Sequence, residues 1–212
     1  MPASVGFRTG YIDGDRRNRF TRDIAGRTVT PAGFGGGMGN WQQEVLFIDV
    51  ESSGLHPTSY PIEIAWATLD LETDGFLIRP LDTWGEDDWS PEAEGIHRIP
   101  RSLLLAGGIP AREAAEAINS ALAGKAVFAA DPQWDRMWID RLFVDTGIAR
   151  RFRVLDYADA IHPLITARDR SGDGSVIEIL HLVEERFPHT HRAAEDALRM
   201  AARYLAIADP DR

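Results

Sequence analysis

The sequence contains no cysteine, which excludes a disulfide framework, a thiolate metal site and a cysteine nucleophile. It also lacks any apolar run of about 18 residues, so it predicts no membrane-spanning helix. The first residues do not form the apolar core of a signal peptide. We therefore expect a cytoplasmic protein that makes no use of a membrane.

Basic residues are scarce as well, with 23 Lys and Arg against 33 Asp and Glu and a net charge of −10. This balance disfavours non-specific binding to duplex nucleic acid, because phosphate contacts normally use a basic surface. It leaves room for a small acidic pocket that holds divalent cations, since such a site becomes much less negative when it is loaded.

The first 40 residues differ in composition from the rest of the chain. They hold 9 of the 19 glycines, with six Arg against three Asp and no apolar periodicity. This composition predicts a flexible N-terminal arm over residues 1–40 and a folded domain over 41–212. Met38 lies just before the folded part and is an alternative start of the chain. A basic arm that contacts nucleic acid is the less favoured interpretation.

From residue 44 onward, apolar runs alternate between strand and helix patterns, which predicts an α/β fold. The predicted strands are 45–50, 62–69, 75–79, 125–130 and 153–156. The predicted helices are 110–123, 132–145, 157–167, 176–186 and 190–207. Residues 80–99 and 168–175 are predicted to be loops.

Two carboxylates, Asp49 and Glu51, end the first strand directly after the apolar run Val45–Ile48. Alternate residues of a strand point to the same side, so both acids face one way. Ionised carboxylates at the edge of a core repel each other and are costly to desolvate unless a positive group holds them. The pair therefore indicates a cation site, although a D-x-E at a strand end is a weak signal by itself.

Two further acids occupy inward positions. Asp135 shares a helix face with Ile139 and Leu142, and Asp196 lies at the edge of the apolar stripe of the last helix. His191 precedes Asp196 by five residues, so the two converge only if His191 lies at or before the first turn. Each has a plain alternative, such as a helix-start acid or a chance spacing; their order and setting together favour a site.

These residues fall in three motifs: DVESSGL at 49–55, ADPQWD at 130–135 and HRAAEDA at 191–197. With the strand PIEIA at 61–65, they resemble the DEDDh branch of the DnaQ-like 3′–5′ exonucleases, which includes ribonuclease T, oligoribonuclease and the proofreading subunit of bacterial DNA polymerase III. The resemblance covers roughly residues 44–207. Weaker echoes are Gly95-Ile96-His97 and Leu155-Asp156-Tyr157.

The resemblance implies a ribonuclease-H-like fold, with a mixed five-stranded sheet whose second strand is antiparallel. It implies that two Mg²⁺ or Mn²⁺ ions are held by four ligands and that His191 is the general base; the ligands are Asp49, Glu51, Asp135 and Asp196. Carboxylate oxygens are the ligands that these ions prefer. It also implies a binding site for the terminal nucleotide, which comprises Val50, Ser52, Ser53, Gly54, Leu55 and, through the weaker echo, His97.

The second motif departs from the family, with Ala130, Asp131 and Trp134 in place of the usual His, Asn and Phe. We expect Asp131 to cap the following helix as Asn would. Trp134 is expected in the core. Trp84 and Trp89 are candidates for stacking on bases or for core packing and a dimer contact. His189 is the rival of His191 as base, and the spacing to Asp196 favours His191.

The predicted function is a metal-dependent 3′–5′ exonuclease that acts on single-stranded ends of RNA or DNA. It would release nucleoside 5′-monophosphates, and short oligonucleotides suit the acidic charge. One alternative is a catalytically inactive module of the same fold that binds nucleic acid or a partner. Another is an acidic α/β domain with coincidental motifs. The sequence does not decide between RNA and DNA, and a homodimer is left open.

Overall fold

A computed structural model describes residues 44–172 and 174–209. The proposed arm at residues 1–40 and the alternative start at Met38 lie outside the described residues. The strands are β1 (Val45–Ser52), β2 (Pro61–Thr68), β3 (Thr73–Arg79), β4 (Ile109–Pro110), β5 (Ala126–Ala129) and β6 (Val154–Asp156). The helices are α1 (Pro91–His97), α2 (Arg101–Gly107), α3 (Ala111–Leu122), α4 (Pro132–Thr146), α5 (Tyr157–Ser171), α6 (Val176–Arg186) and α7 (Ala193–Ala208).

The strands form one mixed sheet in the order β4-β3-β2-β1-β5-β6. β2 pairs antiparallel with both β1 and β3, whereas β5 and β6 run parallel to β1. The predicted ribonuclease-H-like architecture with an antiparallel second strand is confirmed. The sheet gains a sixth strand, β4, which is only two residues long and pairs with β3. So short a segment carries no period-two pattern that could predict it.

Helices cover both faces of the sheet, which explains why β2 is buried along nearly its whole length. On one face, Phe47 and Ala67 pack against Ala197, Met200 and Ala201 of α7. On the other face, α3 and α4 bury their apolar sides against alternate residues of β1; these residues are Leu46, Ile48 and Val50. The sheet side chains alternate between the two faces, so Asp49 and Glu51 emerge on the side of Phe47 and α7.

Two predicted loops are partly wrong. Residues 80–99 include α1, which Ser90 caps by accepting a hydrogen bond from the Ala93 amide at 3.2 Å, with Pro91 at the first helical position. Ser-Pro is a helix-start signal, and the abundance of polar and aromatic residues obscured it. Residues 168–171 extend α5, which ends at Gly172 with φ 73°.

No described helix combines the length and the apolar character needed to cross a bilayer.

The pairing of β2 with β3 depends on a glycine. Gly75 lies opposite Ala65, and a Cβ atom at position 75 would stand 2.5 Å from the Ala65 Cβ and 2.6 Å from the Ile64 carbonyl oxygen. Because the Ile64 carbonyl is backbone, this contact is not relieved by a change of rotamer.

We expect Gly75→Ala to lower the free energy of unfolding by about 1–3 kcal/mol, the usual penalty of overpacking. Urea unfolding followed by circular dichroism measures it. Gly107→Ala is the matched control, because a Cβ there meets nothing within 4 Å. Equal stability of the two variants would contradict the close approach of β2 and β3.

Candidate active site

The end of β1 delivers the first two acids. The strand carries Asp49 and Glu51 past the edge of the core, and its pairing with β2 shifts between Glu51 and Ser52. Glu51 lies opposite Glu63 of β2, so a third carboxylate lies across the ladder. The apolar packing of β1 therefore forces acids together at one edge of the sheet.

Asp135 comes from the first turn of α4 and is 4% exposed. It shares its buried face with Ile139 and Leu142, as predicted. Burial and the negative charges of Asp131 and Glu51 raise the pKa of Asp135 well above its ordinary value, and nearby backbone groups of Asp131 and Val50 act in the opposite direction. Asp131 takes the N-cap position but makes no side-chain capping bond, and the expected capping role is therefore wrong.

Asp196 lies in the first turn of α7 and is 2% exposed. Its carboxylate accepts hydrogen bonds from the backbone N–H groups of Thr190 at 3.2 Å and Arg192 at 3.3 Å. The His189 Nε2 atom lies 3.3 Å away and the Arg199 Nε atom 3.6 Å away. These contacts fix the carboxylate at the entrance to α7.

Three of the four predicted ligands converge. Carboxylate oxygens of Asp49, Glu51 and Asp196 lie within 4.8 Å of one another. Asp135 stands outside this trio, yet its negative charge is the strongest charge contribution that raises the pKa of Asp49. Carboxylate oxygens at this spacing, two from β1 and one from α7, suit a hard divalent cation.

The raised pKa values of Asp49 and Glu51 show that the trio would gain from a bound positive charge. Burial raises the pKa of Asp49 well above its ordinary value, and every charge that perturbs it further belongs to another carboxylate. Burial and the neighbouring carboxylates of Glu63 and Asp196 raise the pKa of Glu51 to about 7, against a lowering effect of Arg192. A bound cation would reverse this balance by favouring the ionised acids.

His191 lies two residues before α7 begins, where the predicted convergence with Asp196 required it. Its backbone has φ 55°, in the left-handed region, and its side chain is exposed. The His189 ring lies 4.1 Å from the His191 ring, centroid to centroid, and it is His189 that contacts Asp196. The assignment of His191 as general base stays a prediction.

The predicted nucleotide-binding segment forms a tight, tethered turn. The Ser52 hydroxyl donates to the Gly54 carbonyl at 2.8 Å, and Ser53 Oγ accepts from the Tyr60 amide at 3.0 Å. Leu55 is 65% exposed, so an apolar side chain projects from the turn into solvent. Val50 is buried on the opposite face of β1.

Other predicted contacts lie deeper than expected. His97 is 3% exposed, and its Nδ1 atom accepts a hydrogen bond from the Ile99 amide at 3.0 Å. Trp84 is fully buried and stacks on Tyr60 at 4.9 Å, which places it in the core and excludes it as a stacking surface for bases. Trp134 packs against the core and stacks on Trp138 at 5.7 Å.

Sequence interpretation missed the partner of Glu63. This buried glutamate receives a two-pronged contact from Arg192, with Nη2–Oε1 at 2.7 Å and Nε–Oε2 at 3.1 Å. A charged residue within the apolar run PIEIA was an available signal, because buried carboxylates are paired.

Comparison with known proteins gives a fold but no sequence relative. No protein-family model and no curated protein matches the chain. Among solved structures, it is similar to E. coli exonuclease I in complex with a dA16 oligonucleotide, with a TM-score of 0.58 and 20% identity over 80% of this chain and 42% of that one. Exonuclease I from Methylocaldum szegediense gives a TM-score of 0.56 and 18% identity, over 80% and 41% of the two chains.

The fold is therefore that of the DnaQ-like exonucleases, as the resemblance implied. The chain spans about two fifths of the length of these exonuclease I structures. Its acidic edge, formed by β1 and the first turns of α4 and α7, is the candidate active site.

The raised pKa of Glu51 predicts how stability depends on pH without metal. Because folding raises this pKa from 4.5 to about 7, the folded protein favours the protonated acid, and this advantage is lost as pH rises through about 7. In EDTA at pH 8, we expect Glu51→Gln to be more stable than the parent by on the order of 2 kcal/mol.

This difference should narrow as the pH falls towards 5, and urea unfolding at several pH values measures it. Glu116→Gln on α3 is the matched control, since the Glu116 side chain is 59% exposed. A stability gain that stayed constant from pH 5 to pH 8 would contradict the raised pKa.

Proposed function

We propose that this protein is a metal-dependent 3′–5′ exonuclease that hydrolyses the terminal phosphodiester of a single strand and releases nucleoside 5′-monophosphates. The main support for this proposal is a group of carboxylate oxygens at one edge of an exonuclease I-like fold. They belong to Asp49, Glu51 and Asp196 and lie within 4.8 Å of one another. The comparisons show the fold, and the proposed activity is argued from the geometry of these acids.

The acids present fit Mg²⁺ or Mn²⁺. Asp49, Glu51 and Asp196 would hold an ion directly, and the neighbouring Asp135 would complete a set for two ions. Bound divalent ions would activate a water molecule and stabilise charge on the attacking and leaving oxygens. The raised pKa values of Asp49 and Asp135 support this role, because a cation bound by these carboxylates would relieve the repulsion between them.

The remaining residues have proposed roles around these acids. His191 would accept the proton of the attacking water, since its side chain is exposed and a neutral imidazole has one nitrogen free to accept a proton. The turn of Ser52, Ser53 and Gly54 would bind the terminal nucleotide through its backbone, and Leu55 would contact the base. Val50 and His97 are buried in the structure, and their direct contact with the substrate stays a prediction.

Single-stranded DNA is the first substrate to test, because the similar exonuclease I structures include complexes with dA16 and dT13 oligonucleotides. RNA is the second substrate to test, since none of the site residues described above selects for or against a 2′-hydroxyl. The cytoplasmic location and the homodimer also stay predictions.

The decisive experiment incubates end-labelled single-stranded DNA and RNA of the same sequence with the protein and Mn²⁺ or Mg²⁺. We expect a ladder that shortens from the 3′ end, that EDTA abolishes, and that disappears in Asp49→Ala because a ligand is lost. Asp140→Ala on the exposed side of α4 is the matched control. Intact substrate, with folded and metal-bound protein, would favour the inactive binding module.

Metal binding is tested separately by thermal unfolding. We expect Mn²⁺ at about 100 times its dissociation constant to stabilise the protein by about 2.7 kcal/mol, since only the folded state presents the site. Asp49→Ala should remove most of this stabilisation. No metal-dependent shift in the parent protein would favour an acidic domain with coincidental motifs.

His191→Ala separates proton transfer from metal binding. We expect kcat to fall by about 10²–10⁴, the usual contribution of a general base, with the Mn²⁺-dependent thermal shift retained. The same change at His189 is the comparison, because this residue contacts Asp196 directly. Full activity of His191→Ala, with loss in His189→Ala, would transfer the role to His189.

A further inference from the structure

Glu63 is a buried acid that cation binding does not explain. It lies in β2 opposite Glu51, is 3% exposed, and its carboxylate accepts three hydrogen bonds. Arg192 donates from Nη2 to Oε1 at 2.7 Å and from Nε to Oε2 at 3.1 Å. The backbone N–H of Ala193 donates to Oε2 at 3.0 Å.

These bonds use most of the acceptor capacity of Glu63. A carboxylate offers about four lone-pair positions, and three of them face donors of the chain. The paired geometry with a guanidinium is the strongest arrangement available to it. Glu63 therefore differs from Glu51, whose oxygens take part in the cation-binding group.

The same short segment is held from a second side by Asp196. Its two carboxylate oxygens accept from the backbone N–H groups of Thr190 and Arg192. Residues 190–193 are thus fixed between two carboxylates, one on β2 and one on α7. His191 lies in the middle of this segment.

The conformation of His191 requires such support. Its φ of 55° lies in the left-handed region, which residues other than glycine seldom adopt. A residue persists there only when the surrounding contacts over-determine it. The backbone bonds of residues 190, 192 and 193 supply those contacts on both sides of His191.

We propose that Glu63 and Arg192 are positioning residues that hold the His191 backbone at the active site; this rests on the proposed function. Arg192 carries the charge that compensates Glu63, and Glu63 ties the entrance of α7 to β2. The pair acts on proton transfer through His191 and does not bind the cation.

Arg192→Gln is the primary test, because the Arg192 side chain is 31% exposed and the Glu63 side chain only 4%. Arg150→Gln is the matched control, since it removes an arginine–aspartate pair with Asp140 of α4, at 3.0 Å, that contacts none of the site residues. Three quantities are measured for both: amide hydrogen exchange by NMR, Mn²⁺ affinity by calorimetry, and kcat and KM on a labelled single strand.

In Arg192→Gln we expect the Thr190 amide to exchange at least about tenfold faster, because it is bonded to Asp196 and responds only if the segment loosens. We expect kcat to fall about tenfold, since small misplacements of a reacting group are costly. KM should change less than about twofold, and Mn²⁺ affinity should not fall, because the lost guanidinium is a positive charge that acts on Glu51. Arg150→Gln should leave all of these values unchanged.

The double variant with His191→Ala shows whether the effect passes through His191. Adding Arg192→Gln to His191→Ala should change kcat by less than about twofold, because the group that the pair positions is already absent. A full tenfold loss in that background, or a fall in Mn²⁺ affinity, would overturn the proposal. Unchanged exchange at Thr190 would overturn it as well.

Failure of the proposed function and failure of the positioning role give different results. A parent protein that degrades neither DNA nor RNA with any divalent metal overturns the proposed function, and the catalytic role of the pair with it. Unchanged exchange in an active enzyme overturns only the positioning by Glu63 and Arg192.

Discussion

Repulsion between half-buried carboxylates at the end of β1 is the constraint on which the rest of the structure depends. Asp49, Glu51 and Asp196 share a small volume, and the charges that perturb the pKa of Asp49 all come from other carboxylates. Such an arrangement is unfavourable in isolation, so the surrounding apolar packing must enforce it. The packing of Phe47 against α7 on one face of β1 and of Ile48 against α3 and α4 on the other provides that enforcement.

Much of this arrangement could be predicted because its signals are local. The apolar run before Asp49 fixes a strand and its end, and the apolar positions after Asp135 and Asp196 fix which side of each helix is buried. The apolar periodicity therefore predicted where the acids lie and that their side chains face inward. The spacing of the motifs predicted the order of strands and helices along the chain. The antiparallel second strand followed from the resemblance, and β2 does pair antiparallel with its neighbours.

The remainder depended on contacts between distant parts of the chain. The residues of the Glu63–Arg192 pair are 129 positions apart, and no local pattern links them. Trp84 is enclosed because its indole nitrogen donates to Asp145 at 2.6 Å, 61 positions away, although its own segment is polar. The carboxylate of Asp131 was expected to cap α4, but the backbone of that residue makes the contacts instead.

The long span between β2 and the entrance of α7 also bears on the order in which the protein becomes competent during synthesis. Glu63 and the acids of β1 leave the ribosome well before Arg192 and Asp196. Until α7 has emerged and docked, the early strands present unpaired carboxylates and an uncovered Phe47. A nascent chain is therefore without the complete group of acids until its last helix has been made.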